Sequence, residues 1–416
     1  MKVAEFRTIL KEINQEQVAV DRLLAVQKMI QKVRQEGDQA VIDYTNQFDG
    51  QDYTEAENFK VSAERLKASW ENLDPELQRA LQTAKNRIED YEHALLYEDR
   101  LGEEISYVYN ALQSAGFYIP GGKALYPSTV LMTVVPALVA GVENLVITTP
   151  VFTEASVTFA ALYLCGIRDN VYAVGGAQAI AAMAYGTETI PQVDKICGPG
   201  NAYVATAKRL VNGDVSIDAI AGPSEILLYV DETIPLDAIV YDIFAQAEHD
   251  QDARTFLLCE SESFLGKIAD RMQELLPSQK RADIIQASIA HNHYPITGSR
   301  QELLAVLNDI AAEHVSIQHR DQDEIVQGIK YAGAVFKGFY AMEAIGDYVA
   351  GPSHVLPTGQ TARFSHGLTA NDFRTSHAVI HTSRETYEAI GLAGQAIAQA
   401  EGLDCHAQSI AIRKEG

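Results

Sequence analysis

Apolar residues recur three and four positions apart from about Gln17 to Leu96, as in LLAVQKMIQKV and PELQRALQTAKNRIEDYEHALL, which predicts amphipathic helices with solvated charged faces. The first residues, MKVAEFRTILKEINQEQ, mix charge into the same helical spacing. After Gly116 the texture changes. GFYIPGG, NLVITTP, VYAVGGAQ and KICGPGN are short apolar runs that alternate with helix-like runs, three of them through glycine turns, an α/β register. A second such run starts at EILLYV (Glu225 to Val230) and passes through TFLLC and HVSIQ to AGAVFKG near Gly333. The stretch between Gly213 and Ser224 reads as a crossing between domains. Val130 to Val142, interrupted by Thr133 and Pro136, is too short to cross a bilayer and reads as a buried helix. A helix from Glu385 to Ala400 and a strand-like SIAIR suggest a small appended unit. The two α/β runs are compatible with two copies of one layout.

A length of 416 residues with 47% apolar content allows two or three domains with sizeable cores. The formal net charge of −23 repels phosphate backbones and anionic lipid, which argues against nucleic-acid or membrane partners. An anionic ligand then has to be held locally, by backbone N–H groups at helix starts. The N-terminus lacks the apolar core and cleavage site of a signal peptide, and Cys165, Cys197, Cys259 and Cys405 are widely spaced with no CxxC pair. Both features suit a cytoplasmic chain with reduced thiols.

Three glycine turns carry candidate chemistry: Pro120-Gly121-Gly122 after Tyr118, Gly175-Gly176-Ala177-Gln178, and Gly198-Pro199-Gly200-Asn201. Small residues permit close backbone approach to a dinucleotide, but none of the three is a GxGxxG fingerprint, and tight connections account for each equally. Gln246 and His249, three apart in AQAEHD, share one side of a predicted helix and point to one ion, with Glu248 aimed elsewhere. Asp347 in GDYVAGPSH and His406 in GLDCHAQ extend this to a nitrogen and oxygen donor set with room for a substrate. Such a set suits a catalytic zinc better than a closed structural site. Glu313 and His314 close the helical run ELLAVLNDIAA, where a carboxylate sits unfavourably near the negative helix end. An imidazole there can take a proton from an alcohol and the carboxylate can orient water; a solvated helix terminus is the plain alternative. His354 reads as a polar contact or a turn residue. His291 and His293 in HNHYP read as part of a polar loop spaced like a surface metal clip, and Cys197 reads as small-residue packing rather than a nucleophile.

In order along nearly the whole chain, GDQAVIDYTNQFDG, GFYIPGGKALYPSTVLM, GGAQAIAAMAYGT, KICGPGNAYV, IAGPSEILL, AQAEHDQDA, GDYVAGPSHVLPT and EGLDCHAQ resemble the histidinol dehydrogenase family. The resemblance implies oxidation of L-histidinol through the aldehyde to L-histidine with two NAD in succession, the last step of histidine biosynthesis. It implies one zinc per active site, held at the positions of Gln246, His249, Asp347 and His406, the last supplied across a homodimer. It makes His314 the general base and Glu313 the activator of water. Ser224 and Glu401 match substrate contacts, as do the zinc positions and His314; Tyr118, Gln178 and Asn201 match NAD contacts. The implied fold is a pair of incomplete Rossmann-like α/β domains with small terminal units in an intertwined homodimer. The expected division is an arm (1–16), a first α/β domain (97–222) with the NAD loops, a second (17–96 with 223–365) with the zinc and base residues, and a C-terminal dimerisation unit (366–416). Segments around Tyr107 to Gln113 and Phe373 to Ala378 depart from the family pattern, and the link after Pro150 is compact. Oxidation of another small polar alcohol, zinc-dependent hydrolysis through Glu313, and a metal-stabilised binding protein are the competing readings.

Overall fold

Each apolar run of the two α/β stretches pairs in a parallel sheet, and the helices between them cover both faces. The computed structural model describes residues 1–13, 20–121, 125–150, 157–220 and 222–415. Gly122 and the link 151–156 therefore lie outside the described residues. The chain divides into two compact units, Met1–Leu96 with Leu112–Phe373 and Tyr97–Ala111 with Arg374–Gly416.

In chain order the strands are β1 (Ile105–Ala111), β2 (Ser114–Tyr118), β3 (Asn144–Thr149), β4 (Val171–Ala173), β5 (Lys195–Cys197), β6 (Ser216–Ile217), β7 (Glu225–Val230), β8 (Arg254–Cys259), β9 (His293–Thr297), β10 (His314–Gln318), β11 (Ala334–Lys337) and β12 (Arg374–Ile380). The first sheet has the order β4-β3-β2-β5-β6 and the second β11-β10-β7-β8-β9. Counted from its own first strand, each sheet has the same order, so the two α/β runs share one layout. The order reverses between β2 and β5 in one sheet and between β7 and β10 in the other, the crevice positions of a doubly wound fold. β7 and β10 are buried along their whole length, as sheets covered on both faces require.

The helices between residues 20 and 95 pack on the first sheet, not the second as the expected division had it. Val26, Met29, Ile30 and Val33 share a core with Ala179, Ile180 and Met183, while Leu81, Ala84 and Ile88 join Phe117, Val130 and Val134. Their apolar stripes are spaced to cover the helices that cross over between the first sheet's strands, which a local reading of periodicity could not assign to either sheet. The N-terminal segment is a helix, Val3–Ile13, docked on the second sheet: Phe6 is fully buried and meets the Phe256 and Tyr294 rings at 5.9 and 5.7 Å. Burying such a ring contributes roughly 1.5–3 kcal/mol. The buried helix read over 130–142 spans Pro127–Ala140 and accommodates Pro136. No helix among the described residues is long and apolar enough to cross a membrane.

In the second unit β1 and β12 form an antiparallel ribbon with Tyr107 opposite Ala378 and Ala111 opposite Arg374. The two segments that depart from the family pattern are thus largely each other's partners. Because 97–111 pairs with this ribbon, it does not belong with the first α/β domain. The helix Arg384–Ala400 follows, capped by Ser383, and packs against a second helix, Asp404–Ala411. SIAIR lies in that helix and the 3₁₀ turn after it, so its alternation is not a strand.

Candidate metal and active site

Glu313 and His314 do not end a helix. The helix Arg300–Ile310 stops at Ala311, which takes the left-handed conformation (φ 48°), and the chain then enters β10 at His314. The helix-dipole argument therefore does not apply to Glu313; burial does the work. Its Oε2 accepts the Glu225 N–H at 2.8 Å, and desolvation, with Glu225 and Asp347 adding repulsion, holds its proton affinity well above the usual carboxylate range. Glu225, at the start of the neighbouring β7, is tied by Arg254 at 3.0 Å and by the Gly359 N–H at 3.1 Å.

His314 Nδ1 lies 3.1 Å from the Glu225 carbonyl oxygen. A carbonyl only accepts, so Nδ1 carries the proton and Nε2 keeps its lone pair, 4.0 Å from Asp347 Oδ1. Burial pushes this imidazole down to about 4, against the pull of Asp347 and the carbonyl. It is therefore neutral at physiological pH and competent to take a proton.

The helix Leu236–Ala247 ends at Glu248, so Gln246 belongs to its last turn and His249 lies just beyond it. Gln246 is fully buried with neither amide atom partnered, an arrangement that is costly unless something else is bound. His249 Nε2 is 3.8 Å from Asp347 Oδ2, and Asp347 stands on the short helix Glu343–Tyr348. Glu248 is exposed, as expected of a non-ligand. Ligand atoms of His249, Glu343 and Asp347 all lie within 4.8 Å of one another. Imidazole, carboxylate and an orphaned amide match the donors zinc takes in open sites, so the residues present fit the metal. Glu343 was missed in the sequence. Its signal was a second acid one helical turn before Asp347. The imidazole of His354 bonds the main chain of Asp347 and is pushed down by burial, which makes it a buttress of this helix end.

Two expected members belong to the second unit. Glu401 ends the helix Arg384–Ala400 and His406 lies on Asp404–Ala411; both are exposed. Ser224 is half-buried immediately before β7, its carbonyl accepting from Arg254 N–H. HNHYP is not a polar loop: Asn292 ends a helix and His293 opens β9, its Nδ1 2.7 Å from Thr255 Oγ1. The Cys197 thiol is buried and pushed well above its ordinary value, which suits packing.

The glycine turns lie at the carboxyl ends of the first sheet, on both sides of its switch point. Tyr118 is buried at the end of β2 and its hydroxyl accepts the Gly176 N–H at 3.3 Å. Gly198, after β5, has φ +120°, and a Cβ there would meet the Tyr118 carbonyl oxygen at 2.0 Å, so only glycine fits. A buried ion pair between Lys208 and Asp218 clamps this loop: Asp218 accepts the Gly198 N–H at 2.7 Å and Lys208 donates to its carbonyl at 2.9 Å. Gln178 is buried with its Nε2 unpartnered, and the Asn201 side chain caps the helix Ala202–Val211. The second sheet, by contrast, uses its amino ends for Glu313, His314 and Ser224. Two contacts hold the metal-bearing segment against the first half: Ser353 Oγ donates to the Met132 carbonyl at 2.9 Å, and Arg87 donates to the Ala350 carbonyl at 3.0 Å.

A family model described as histidinol dehydrogenase matches residues 12–414. A histidinol dehydrogenase of Staphylococcus saprophyticus is 47% identical over 407 residues, covering 97% of this chain and 95% of that protein. One from Staphylococcus aureus is 48% identical over 395 residues, 94% of each chain. The crystal structure of histidinol dehydrogenase from Elizabethkingia anophelis superposes with a TM-score of 0.92 at 31% identity, covering 98% of this chain and 96% of that one.

Proposed function

Because the chain belongs to the histidinol dehydrogenase family, oxidoreductases of histidine biosynthesis, we propose that it oxidises L-histidinol through L-histidinal to L-histidine, passing two hydrides to two NAD in succession. The observation that carries the chemistry is the neutral His314, its Nδ1 proton held by Glu225 and its Nε2 directed toward Asp347. Gln246, His249 and Asp347 would hold zinc, with His406 of a second copy completing the set. When bound, zinc supplies Lewis acidity toward the alcohol oxygen and fixes the substrate.

The residues of the chain divide the remaining work. His314 takes the alcohol proton at Nε2 as hydride leaves the carbinol carbon for NAD. Glu313, whose buried carboxylate is a stronger base than an exposed one, takes a proton from water as it adds to the aldehyde carbon. His314 releases the first proton to solvent, and the hydrate then gives the second hydride to a fresh NAD and its remaining proton to the neutral His314, leaving the carboxylate product. Ser224 and Glu401 contact the substrate. Tyr118, Gln178 and Asn201 hold NAD at the first sheet's carboxyl ends, where the Gly176 and Gly198 turns allow close approach.

A homodimer with a shared site, seated on the second unit, is part of this reading. Ile380, Ile390, Leu392, Ile397 and Ile412 of that unit are all more than half exposed, the kind of apolar surface that marks an interface. A cytoplasmic location without nucleic-acid or membrane partners belongs to the same reading, supported by the net charge of −23 and by the free thiols, of which Cys165, Cys197 and Cys259 are buried. The test is histidinol-dependent NADH formation that stops on chelation and returns with zinc. Activity indifferent to both chelator and zinc contradicts the reading.

A further inference from the structure

We propose that Asp49 is the acid that holds the adenosine ribose of NAD, accepting a hydrogen bond from its 2′-hydroxyl. The inference rests on the reading of the first sheet's glycine turns as the cofactor site. Asp194 and Asp218 follow those turns at about the twenty residues customary for a ribose-binding acid. Both are engaged elsewhere: Asp194 accepts from Ser114, and Asp218 pairs with Lys208 and accepts the Gly198 N–H. Asp49 comes from another part of the chain, as the last residue of the helix Asp38–Asp49, which Gly50 ends in the left-handed conformation (φ 63°). A carboxylate at that end opposes the helix dipole, so the helix itself does not explain it.

The Asp49 carboxyl lies against the Gly175–Gly176 turn. A Cβ on Gly175 would stand 3.4 Å from its Oδ2. Burial raises the proton affinity of this carboxyl, and the Gly175 N–H offsets only part of that. Oδ2 is buried without a hydrogen-bond partner among the described residues, and so is Nε2 of Gln178. Gln178, 1% exposed, belongs to the same turn: its Oε1 is 2.6 Å from where a Cβ on Gly176 would stand. One turn thus holds an acceptor without a donor and a donor without an acceptor. A hydroxyl group satisfies both, donating to Asp49 and accepting from Gln178, whereas a phosphate oxygen serves only Gln178 and an ammonium only Asp49. The turn follows β4, the outermost strand of the first sheet and two strands from β2 at the switch point. A dinucleotide straddling the switch lays a nucleoside over such strand ends, and an acid there accepts from the adenosine 2′-hydroxyl. The 2′-phosphate of NADP would bring negative charge against the same carboxyl, so Asp49 also selects NAD.

The test titrates NAD, and NAD lacking the adenosine 2′-hydroxyl, into the zinc-loaded full-length protein by calorimetry, with circular dichroism confirming the fold. The parent is expected to bind NAD about 10- to 100-fold tighter than the deoxy analogue, the range of one hydrogen bond to a charged group. Asp49→Ala is expected to bind the two alike and to keep its zinc. A variant that merely loosens the turn weakens both ligands together and preserves the parental ratio, and that result overturns the proposal. Equal affinity of the parent for the two ligands overturns it as well, while a parent that binds neither removes the cofactor reading on which it rests. Should Asp49→Ala not fold, Asp49→Asn, which keeps the shape and loses the charge, is judged by the same ratio: a value within twofold of the parent's overturns the proposal.

Discussion

His314 Nδ1 stands 3.1 Å from the carbonyl oxygen of Glu225, so the start of one strand sets the tautomer of a base on its neighbour. The pairing of His314 with Ile226 in the β7–β10 ladder places this contact, and a one-residue slip would turn the imidazole to the other face. The proton-accepting Nε2 is thus a product of sheet register. His314→Asn is expected to slow turnover by about 10²–10⁴ while leaving zinc content unchanged. Steady-state rates alongside metal analysis check this; an unchanged rate removes the assignment.

Gly198→Ala puts a methyl group 2.0 Å from the Tyr118 carbonyl oxygen at a backbone angle L-residues avoid. No rotamer relieves a clash with main chain. The variant is expected to lose at least about 2 kcal/mol of stability and to raise KM for NAD about tenfold or more through displacement of the loop. Zinc content stays at the parent level. Thermal melts and NAD titration measure the two effects.

Away from the site, burial pushes His293 down to about 4. A histidine whose folded value is depressed binds fewer protons folded than unfolded, so its contribution to stability is complete above about pH 6.5 and falls as pH drops toward 4. The loss is on the order of 2 kcal/mol. His293→Gln, which can still bond Thr255, is expected to flatten the melting temperature against pH between 6.5 and 4. An equally steep curve in the variant contradicts this.

The shared site predicts complementation. His249→Asn and His406→Asn are each inactive alone, but co-expressed they restore about a quarter of parental activity, because half the dimers are mixed and each of those carries one intact site. No recovery in demonstrably mixed dimers contradicts a site built from two copies.

Much of this was legible in the residues. The strands β2 to β5, β7, β8 and β10 follow from short apolar runs, since a strand buried on both faces has to read as a continuous apolar segment. Other features depend on partners distant in sequence. The β1–β12 ribbon joins residues more than 260 positions apart, and nothing local distinguishes Tyr107 or Arg374 as strand residues. HYPIT carries a proline and a histidine, and becomes a strand because it lies at the sheet edge beside β8. At the site, Gln246 and His249 were visible as a pair. Glu343 was not, because an acid at a helix start has an ordinary explanation until its burial and missing partners are seen. Glu313 was picked out for a helix-end strain that does not exist; its shifted ionisation comes from burial, which local spacing does not record.

The most direct measurement is the stoichiometry of the reaction: NADH formed per L-histidinol consumed by the zinc-loaded protein, with L-histidinol limiting and NAD in excess. Retention of the aldehyde between the steps performed by His314 and Glu313 predicts two NADH and one L-histidine per histidinol. One NADH with the aldehyde accumulating, or no NADH at all, contradicts the account.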